Sequence, residues 1–318
     1  MKNKVATAIF LLILLGMTIV LSLIFKPEHE SYNIETSTEA IQAVANERDN
    51  SLDVLFFGDS ECFAAYSPLQ MYAEYGFSSY VCGTAAQRPC DTFYIMEEVL
   101  KKQNPKVIVL EANCIFREAV DKDNNADAFF NMLADKFPVF KYHVRWKFIF
   151  RQLYFKKYSS LDNYKGFILR TEIKPYESGE YMIPTDKKAG IGDDNMKHLE
   201  NIINLCKEKD ISLLLVASPS PLNWTYRKHN AIESISDKFG IEFIDYNLLT
   251  DELGIDWNYD TKDYGDHVNL NGAVKVTAAM GEYLTNNYNL PDHRNDKDYY
   301  EAWDLAAEEF LKKYNIEI

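Results

Sequence analysis

The sequence predicts an α/β fold, a parallel-sheet three-layer α/β/α sandwich of the doubly wound kind. Short apolar runs alternate with amphipathic helical patterns from residue 51 onward. The runs VLFF, KVIVL and ISLLLVA are apolar almost throughout, rather than apolar at every second position. Strands of this composition are buried on both faces, as in a parallel sheet that is covered by helices on both sides.

The composition fits a large packed domain and excludes one class of partner. The chain has 318 residues, of which 47% are hydrophobic and 14% aromatic, enough for a sizeable core. Its formal net charge is −14. Nucleic acid is therefore not the expected partner, because phosphate binding requires a basic surface. No pattern indicates a cofactor, and no Cys/His spacing indicates a metal site.

The first element, residues 1–26, is interpreted as a transmembrane anchor with a short cytoplasmic tail. No charged residue occurs from Val5 to Phe25, and a helix of that length spans roughly 30 Å. Lys2 and Lys4 precede the apolar run. The positive-inside rule therefore predicts a single-pass protein of the cell membrane, with its amino terminus in the cytoplasm and the rest of the chain outside. A cleavable signal peptide is the alternative, although no small-x-small cleavage site follows the run.

A polar spacer at 27–50 then leads into a domain predicted to occupy 51–318. Strands are expected at 54–57, 78–82 and 106–110 because these segments are short, apolar and bounded by turn residues. The segment 91–103 is expected to be a helix, because Phe93, Met96, Val99 and Leu100 fall on one face.

The second half of the domain repeats this alternation. Residues 193–210 and 228–239 have helical periodicity, and the apolar segments 211–217 and 241–244 that follow them are predicted strands. A closing helix is predicted at 272–288, with Asn269 and Asn271 as caps. Together these elements complete the predicted sandwich.

The segment from about 117 to 190 interrupts this rhythm and is predicted to be an insertion. Its part from 137 to 167 is dense in aromatic and basic residues, and we expect it to be helical. One interpretation is that the aromatic residues pack on the sheet and the bases face solvent. The other is a lid that binds an acceptor, or a surface that meets lipid headgroups or a membrane partner.

The five cysteines, an odd number, are expected to be small buried hydrophobic residues rather than a disulfide framework, since most lie in apolar surroundings.

Two distant motifs supply residues that suit acyl transfer. Ser60 directly follows the apolar run that ends in Gly-Asp, at the predicted carboxyl end of the first strand. About two hundred residues later, Asp263, Asp266 and His267 share one loop before the closing helix. A serine hydroxyl becomes nucleophilic when an imidazole takes its proton, and a carboxylate orients that imidazole. We predict Ser60 as nucleophile and His267 as base, with Asp263 favoured over Asp266 as the acid.

The tetrahedral intermediate of such a reaction requires hydrogen-bond donors for its oxyanion. Candidates are the backbone N–H groups of Ser60 and Gly83 and the side-chain amide of Asn113. Each of the three follows a different predicted strand, so they converge if those strands are neighbours in the sheet.

In order along the chain, these residues resemble the four blocks of the SGNH (GDSL-type) hydrolase superfamily. The blocks are Gly-Asp-Ser at 58–60, Gly83, Asn113, and the Asp and His of 263–267. The resemblance runs from about residue 53 to 288 and implies a flavodoxin-like sandwich and a Ser-His-Asp triad. Three features depart from the family pattern: Glu61 replaces a Leu, Glu-Ala-Asn-Cys replaces Gly-x-Asn-Asp, and Tyr264 stands where the acid usually is.

The anchored, outward-facing arrangement resembles one branch of the superfamily, which includes D-alanyl-lipoteichoic acid biosynthesis proteins and envelope O-acetyl transfer proteins. That resemblance implies a serine esterase or O-acyltransferase. Its substrate would be either a small acyl ester or an acylated cell-envelope glycopolymer. Acetyl is the acyl group that the resemblance implies. A membrane-bound O-acyltransferase is the partner it implies. The alternative is a catalytically inactive protein of the same fold that binds glycopolymer or scaffolds such a partner.

Overall fold

The computed structural model describes residues 2–25, 40–117, 133, 136–142 and 164–318. By its internal contacts the chain divides into two units. One comprises Met1–Glu35 and Glu118–Lys157, and the other comprises Thr36–Arg117 and Tyr158–Ile318. The candidate catalytic residues all belong to the second unit.

The first unit contains helix α1, Lys2–Phe25. Within it, Lys4–Ile24 has a mean hydropathy of 2.7, and the segment is long and apolar enough to cross a membrane. A membrane anchor and a signal sequence both have these properties. A further short helix, which we number α5 for its place in the chain, spans Pro138–Tyr142. Most of the predicted helical insertion lies outside the described residues.

The second unit is built on five parallel strands within the described residues. They are β1 (Val54–Phe57), β2 (Ser79–Val81), β3 (Val107–Glu111), β4 (Ser212–Ala217) and β5 (Glu242–Asp245). Their order in the sheet is β2-β1-β3-β4-β5. All four neighbouring pairs are parallel, with Val54 opposite both Ser79 and Val107. Each predicted strand is therefore confirmed to within one or two residues.

Helices connect and cover these strands. They are α2 (Ser60–Ala65), α3 (Pro68–Tyr75), α4 (Pro89–Val99), α6 (Asp193–Glu208), α7 (Tyr226–Phe239), α8 (Leu270–Asn287) and α9 (Glu301–Tyr314). The crossover from β1 to β2 runs in the opposite direction from those that follow. Because crossovers are right-handed, α2 and α3 lie on the other face of the sheet from α4 and α6. Helix α3 contacts α8 and α9, whereas α4 contacts α6.

The core lies between these layers. All four residues of β1 are fully buried, and the ring of Phe56 stacks on Tyr66 with centroids 4.9 Å apart. The five cysteines are all buried and unpaired, as predicted. The closing helix begins at Leu270 rather than 272, and Asn269 caps it by accepting hydrogen bonds from the N–H groups of Asn271 and Gly272.

The structure differs from the prediction at the carboxyl terminus, where α9 follows the helix that we expected to be the last. Trp303, Ala307 and Phe310 form its buried face. Within the predicted insertion, α5 is helical, whereas residues 164–190 contain no helix longer than a turn. Prolines at 175 and 184 and glycines at 179 and 190 explain the irregular backbone.

From β1 the chain crosses to β2 on one side of the sheet order, and from β3 it crosses to β4 on the other side. The direction of the crossovers therefore reverses between β1 and β3. In open α/β sheets the crevice at such a point, beyond the carboxyl ends of the strands, is where ligands bind. Ser60 follows β1 and Asn113 follows β3, so both lie at this crevice.

Candidate active site

Ser60 is presented by a sharp turn between β1 and α2. Gly58 has φ +149°, and a Cβ there would lie 2.5 Å from the Cβ of Glu111 and 3.0 Å from that of Cys62. Only glycine therefore allows the ends of β1 and β3 to approach this closely. Asp59 caps α2 by accepting a hydrogen bond from the N–H of Glu61, which leaves Ser60 as the first helical residue, partly exposed.

Two backbone donors next to Ser60 are unpaired. Within the described residues, neither the N–H of Ser60 nor the N–H of Gly83 makes a hydrogen bond. Gly83 lies close to the turn that carries Ser60, since a Cβ on Gly83 would be 3.2 Å from the carbonyl oxygen of Gly58. These two donors are available to an oxyanion at the crevice.

His267 is held by a compact loop that precedes α8. We call this loop, residues 261–267, the histidine loop. Its Nδ1 lies 2.8 Å from Oδ2 of Asp263, and its backbone N–H donates to Oδ1 of the same carboxylate at 2.7 Å. Thr261 closes the loop, since its hydroxyl donates to the carbonyl oxygen of His267 and accepts from the N–H of Gly265. Because Asp263 contacts Nδ1, Nε2 is the ring nitrogen that is left for another partner. That nitrogen is buried and unpartnered in the described part of the chain.

Asp266 is a poorer partner for the imidazole. Its Oδ2 is 3.4 Å from Nδ1 of His267, and its other carboxylate oxygen accepts a hydrogen bond from Asn223. The contacts of Asp263 also favour its own charged form. Burial favours its neutral form, but hydrogen bonds from Lys262 and His267 outweigh burial and lower the pKa of Asp263. The geometry therefore favours Asp263 as the residue that orients His267.

Glu61 connects the serine to the histidine loop. Its Oε2 accepts a hydrogen bond from Oγ of Ser60 at 3.3 Å. Oxygen atoms of Glu61 and Asp266 and a ring nitrogen of His267 lie within 4.8 Å of one another. Glu61 thus lies close to residues some two hundred positions later in the chain. Ser60 is hydrogen-bonded to Glu61 in this arrangement, and no hydrogen bond joins it to His267 among the described contacts.

A buried cluster of three carboxyl groups lies beneath Ser60. Asp59, Glu61 and Glu111 are each 2% exposed or less, and oxygen atoms of the three lie within 4.8 Å of one another. Arg117 forms ion pairs with Asp59 and Glu61. The amine of Lys228 reaches the same region and donates to Oδ1 of Asn113 at 2.7 Å.

Burial and mutual repulsion shift the pKa values of the three carboxyl groups in different directions. Burial and the charge of Asp59 raise the pKa of Glu61 well above its ordinary value, and the same two causes raise the pKa of Glu111. Burial also opposes ionisation of Asp59, but hydrogen bonds from Glu61 and the charge of Arg117 lower its pKa. Burial lowers the pKa of Lys228. Among the three carboxyl groups, ionisation is thus favoured at Asp59 and opposed at Glu61 and Glu111.

Asn113 is bound into this cluster. Its amide nitrogen donates to Oδ2 of Asp59 at 3.2 Å and to Oε1 of Glu61 at 3.1 Å. Both of its amide hydrogens are therefore used in the structure. The structure places Asn113 where the sequence predicts, beside the serine, but bonded to carboxylates rather than open to an oxyanion.

Sequence reasoning missed the functional surroundings of the serine. It did not assign Glu111, Arg117 or Lys228 to the site, and it treated Glu61 only as a departure from the family pattern. One available signal was the run of acids at the ends of adjacent strands, Asp59 and Glu61 after β1 and Glu111 at the end of β3. A charged residue in an otherwise apolar strand end requires a buried partner.

Two sets of donors in the described residues have the spacing of metal ligands, namely Asp59, Glu61 and Glu111, and Glu61, Asp266 and His267. Arg117 already forms ion pairs with two members of the first set, Asp59 and Glu61. In the second set, His267 has one nitrogen bound to Asp263 and one unpartnered nitrogen.

Comparison with known proteins yields similar solved structures. A proposed acylhydrolase from Bacteroides fragilis is 13% identical, with a TM-score of 0.40 over 81% of this chain and 99% of that one. A GDSL-like lipase from Bacteroides thetaiotaomicron is 12% identical, with a TM-score of 0.39 over 81% of this chain and 100% of its own. A proposed GDSL-like lipase from Parabacteroides merdae is 14% identical, with a TM-score of 0.37 over 76% and 98%. No family model and no curated protein matches the chain.

Proposed function

We propose that the protein is a serine esterase or O-acyltransferase of the SGNH (GDSL-type) superfamily, anchored in the membrane by α1. The observation that carries the proposal is the Asp263–His267 pair. Nε2 of His267 has no partner among the described residues, and the imidazole lies near Glu61, which accepts the hydrogen bond of Ser60. Such a nitrogen is the acceptor that a serine hydroxyl requires. The α/β sheet with its strand-order reversal at β1 and β3 is the expected setting.

In the proposed mechanism, Ser60 exchanges its hydrogen bond with Glu61 for one with His267. Its Oγ then attacks the acyl carbonyl carbon while Nε2 of His267 takes the hydroxyl proton. The N–H groups of Ser60 and Gly83 hold the resulting oxyanion. The imidazolium, stabilised by Asp263, gives its proton to the leaving oxygen as the ester C–O bond breaks.

The acyl-enzyme is then discharged by a second nucleophile. A water molecule or a sugar hydroxyl attacks the acyl carbon, His267 takes its proton, and the proton returns to Oγ of Ser60 as the acyl bond to the serine breaks. Water gives hydrolysis and a sugar hydroxyl gives transfer. We propose an acyl ester of a cell-envelope glycopolymer as the substrate. We also propose that the catalytic unit lies outside the cytoplasm, because Lys2 and Lys4 flank the amino-terminal side of α1.

The test is intact-mass spectrometry of the full chain after exposure to an activated acetyl ester. We expect a transient adduct of one acetyl group in the wild type and in Ser234→Ala, which removes a serine hydroxyl in α7 away from the crevice. Ser60→Ala should show none. An adduct that persists in Ser60→Ala would contradict the assigned nucleophile.

A second candidate, a catalytically inactive scaffold for a membrane-bound O-acyltransferase, is favoured by one observation. Ser60 and Asn113 both make their hydrogen bonds to Glu61 rather than facing an open site. This candidate predicts that cells carrying Ser60→Ala keep normal function at normal protein levels. Loss of function in those cells would leave the enzymatic proposal in place.

A further inference from the structure

A second concave feature lies beside the histidine loop. It is a cleft of about 600 Å³ whose walls include three aromatic and three acidic residues: Tyr176, Tyr181, Trp257, Glu177, Glu180 and Asp251. None of these residues takes part in the proposed acyl chemistry. We call this feature the aromatic cleft.

The three rings of the aromatic cleft stand nearly at right angles to one another. The angles are 86° between Tyr176 and Tyr181, 82° between Tyr181 and Trp257, and 70° between Tyr176 and Trp257. Their centroids are 6.1–6.3 Å apart. Three perpendicular walls at this spacing suit a group of a few atoms. A cation enclosed by them lies within the roughly 6 Å over which an aromatic face attracts positive charge.

The walls are fixed rather than adaptable. The hydroxyl of Tyr181 donates to Oδ1 of Asn247, which also accepts the N–H of Ser220. Asn247 is buried, and its amide nitrogen donates to the carbonyl oxygen of Ser218. The N–H of Tyr176 donates to the carbonyl oxygen of Trp257 and joins two of the walls. A preorganised wall loses little entropy when a ligand binds.

Charge selects the ligand class. Every charged residue that lines the aromatic cleft is acidic, namely Glu177, Glu180 and Asp251, and all three are exposed. A neutral sugar gains little from three negative charges, whereas a cation is attracted both by them and by the ring faces. We propose that the aromatic cleft binds an organic ammonium group, and a methylated one most strongly. Methyl groups contact rings well, and the exposed carboxylates supply negative charge.

The aromatic cleft adjoins the loop that carries His267. Gly265, at φ +93°, lies in that loop, and a Cβ on it would be 2.8 Å from the ring of Tyr176. Ser220, which bonds to Asn247 in the cleft wall, also donates to the carbonyl oxygen of Asp266. An ester with an ammonium group in its alcohol portion is thus the substrate class that the two sites together would accept. This last step rests on the proposed function, whereas binding at the cleft does not.

The first experiment measures binding without catalysis. Tetramethylammonium is titrated into the full chain in a neutral detergent and followed by ligand-observed NMR. We expect saturable binding that weakens with added salt and falls roughly three- to tenfold in Trp257→Leu and Glu180→Gln. Trp257→Phe should keep most of the affinity, because it keeps a ring. Glu308→Gln, a matched loss of an exposed acid on α9, should bind like the wild type.

Absence of saturable tetramethylammonium binding by folded wild type would overturn the inference. So would equal affinity in the wild type, Trp257→Leu and Glu180→Gln. Saturable binding of methyl glucoside in place of tetramethylammonium would assign the cleft to sugars and overturn it as well.

The second experiment compares acetylcholine with its uncharged carbon analogue, 3,3-dimethylbutyl acetate. We expect a several-fold higher kcat/KM for the cation, and Glu180→Gln should reduce that preference. Hydrolysis of both esters at equal rates would contradict the link to the catalytic site. Tetramethylammonium binding without turnover of either ester would instead count against the proposed function and leave the cleft assignment standing.

Discussion

The histidine loop and the carboxyl cluster beneath Ser60 both place carboxylates beside residues that we propose to be catalytic, with opposite results. In the loop, Asp263 occupies one nitrogen of His267, and the other nitrogen has no partner among the described residues. In the cluster, Asp59 and Glu61 occupy both amide hydrogens of Asn113. The loop thus leaves His267 able to accept a further hydrogen bond, whereas the cluster uses both of the hydrogens that Asn113 could donate. Proximity of a polar residue to the nucleophile is therefore a poor guide to its role unless its own partners are counted.

The largest effect should come from the loop. Asp263→Asn removes the carboxylate that holds Nδ1 of His267, and we expect the rate of acyl-enzyme formation to fall on the order of 10²- to 10⁴-fold. Asp266→Asn should change it less than about tenfold, because Asp266 is farther from Nδ1. Single-turnover kinetics with the activated acetyl ester compare the two variants. A larger loss in Asp266→Asn would reverse the assignment.

The cluster should affect stability more than rate. Lys228→Met removes the amine that donates to Asn113 and to the carbonyl oxygen of Asn223, and leaves those acceptors unsatisfied. We expect the free energy of unfolding to fall by about 1–3 kcal/mol. Lys238→Met removes an exposed pair with Glu200 and should cost about 0–1 kcal/mol. Urea denaturation measures both variants. Equal losses would mean that the cluster is not held by its cations.

The pH dependence of stability probes the protons in the cluster. The folded pKa of Glu111 is raised, so above the ordinary glutamate pKa of about 4.3 the folded state holds a proton that the unfolded chain releases. Stability therefore decreases as the pH rises toward the folded pKa. Glu111→Gln should lessen that slope by up to about 1.4 kcal/mol per pH unit. Glu308→Gln provides the control. If the free energy of unfolding depends on pH in the same way in the wild type and in Glu111→Gln, then Glu111 does not hold a proton in the folded state.

The smallest effect on rate is expected at Asn113. Because both amide hydrogens are bonded to carboxylates, Asn113→Ala should lower the acylation rate of folded protein by less than about tenfold. A donor that holds the oxyanion would be worth about 10²- to 10³-fold. A loss in that range, measured with the fraction of folded protein held equal, would show that the amide leaves the cluster during the reaction.

The parts of the molecule that the sequence predicts well are governed by local patterns. The strands and the helices between them follow from continuous apolar runs and helical periodicity. The Asp263–His267 contact spans only four residues. Helix α9 was missed, although Trp303, Ala307 and Phe310 show helical spacing.

The carboxyl cluster is a different case, because it depends on how closely β1 and β3 approach. That distance is set by the absence of a side chain at Gly58. Neither the effect of Asp59, Glu61 and Glu111 on one another's pKa values nor the contact of Lys228 from α7 with Asn113 follows from the sequence pattern. These features are products of tertiary packing.

The most direct test of the central claim is the rate at which a serine-directed fluorophosphonate labels the full chain, with the modified residue identified by peptide mass mapping. We predict that the label appears on Ser60 and that His267→Ala slows the reaction on the order of 10³-fold. Labelling of another residue, or equal rates in the wild type and His267→Ala, would contradict the claim that His267 activates Ser60.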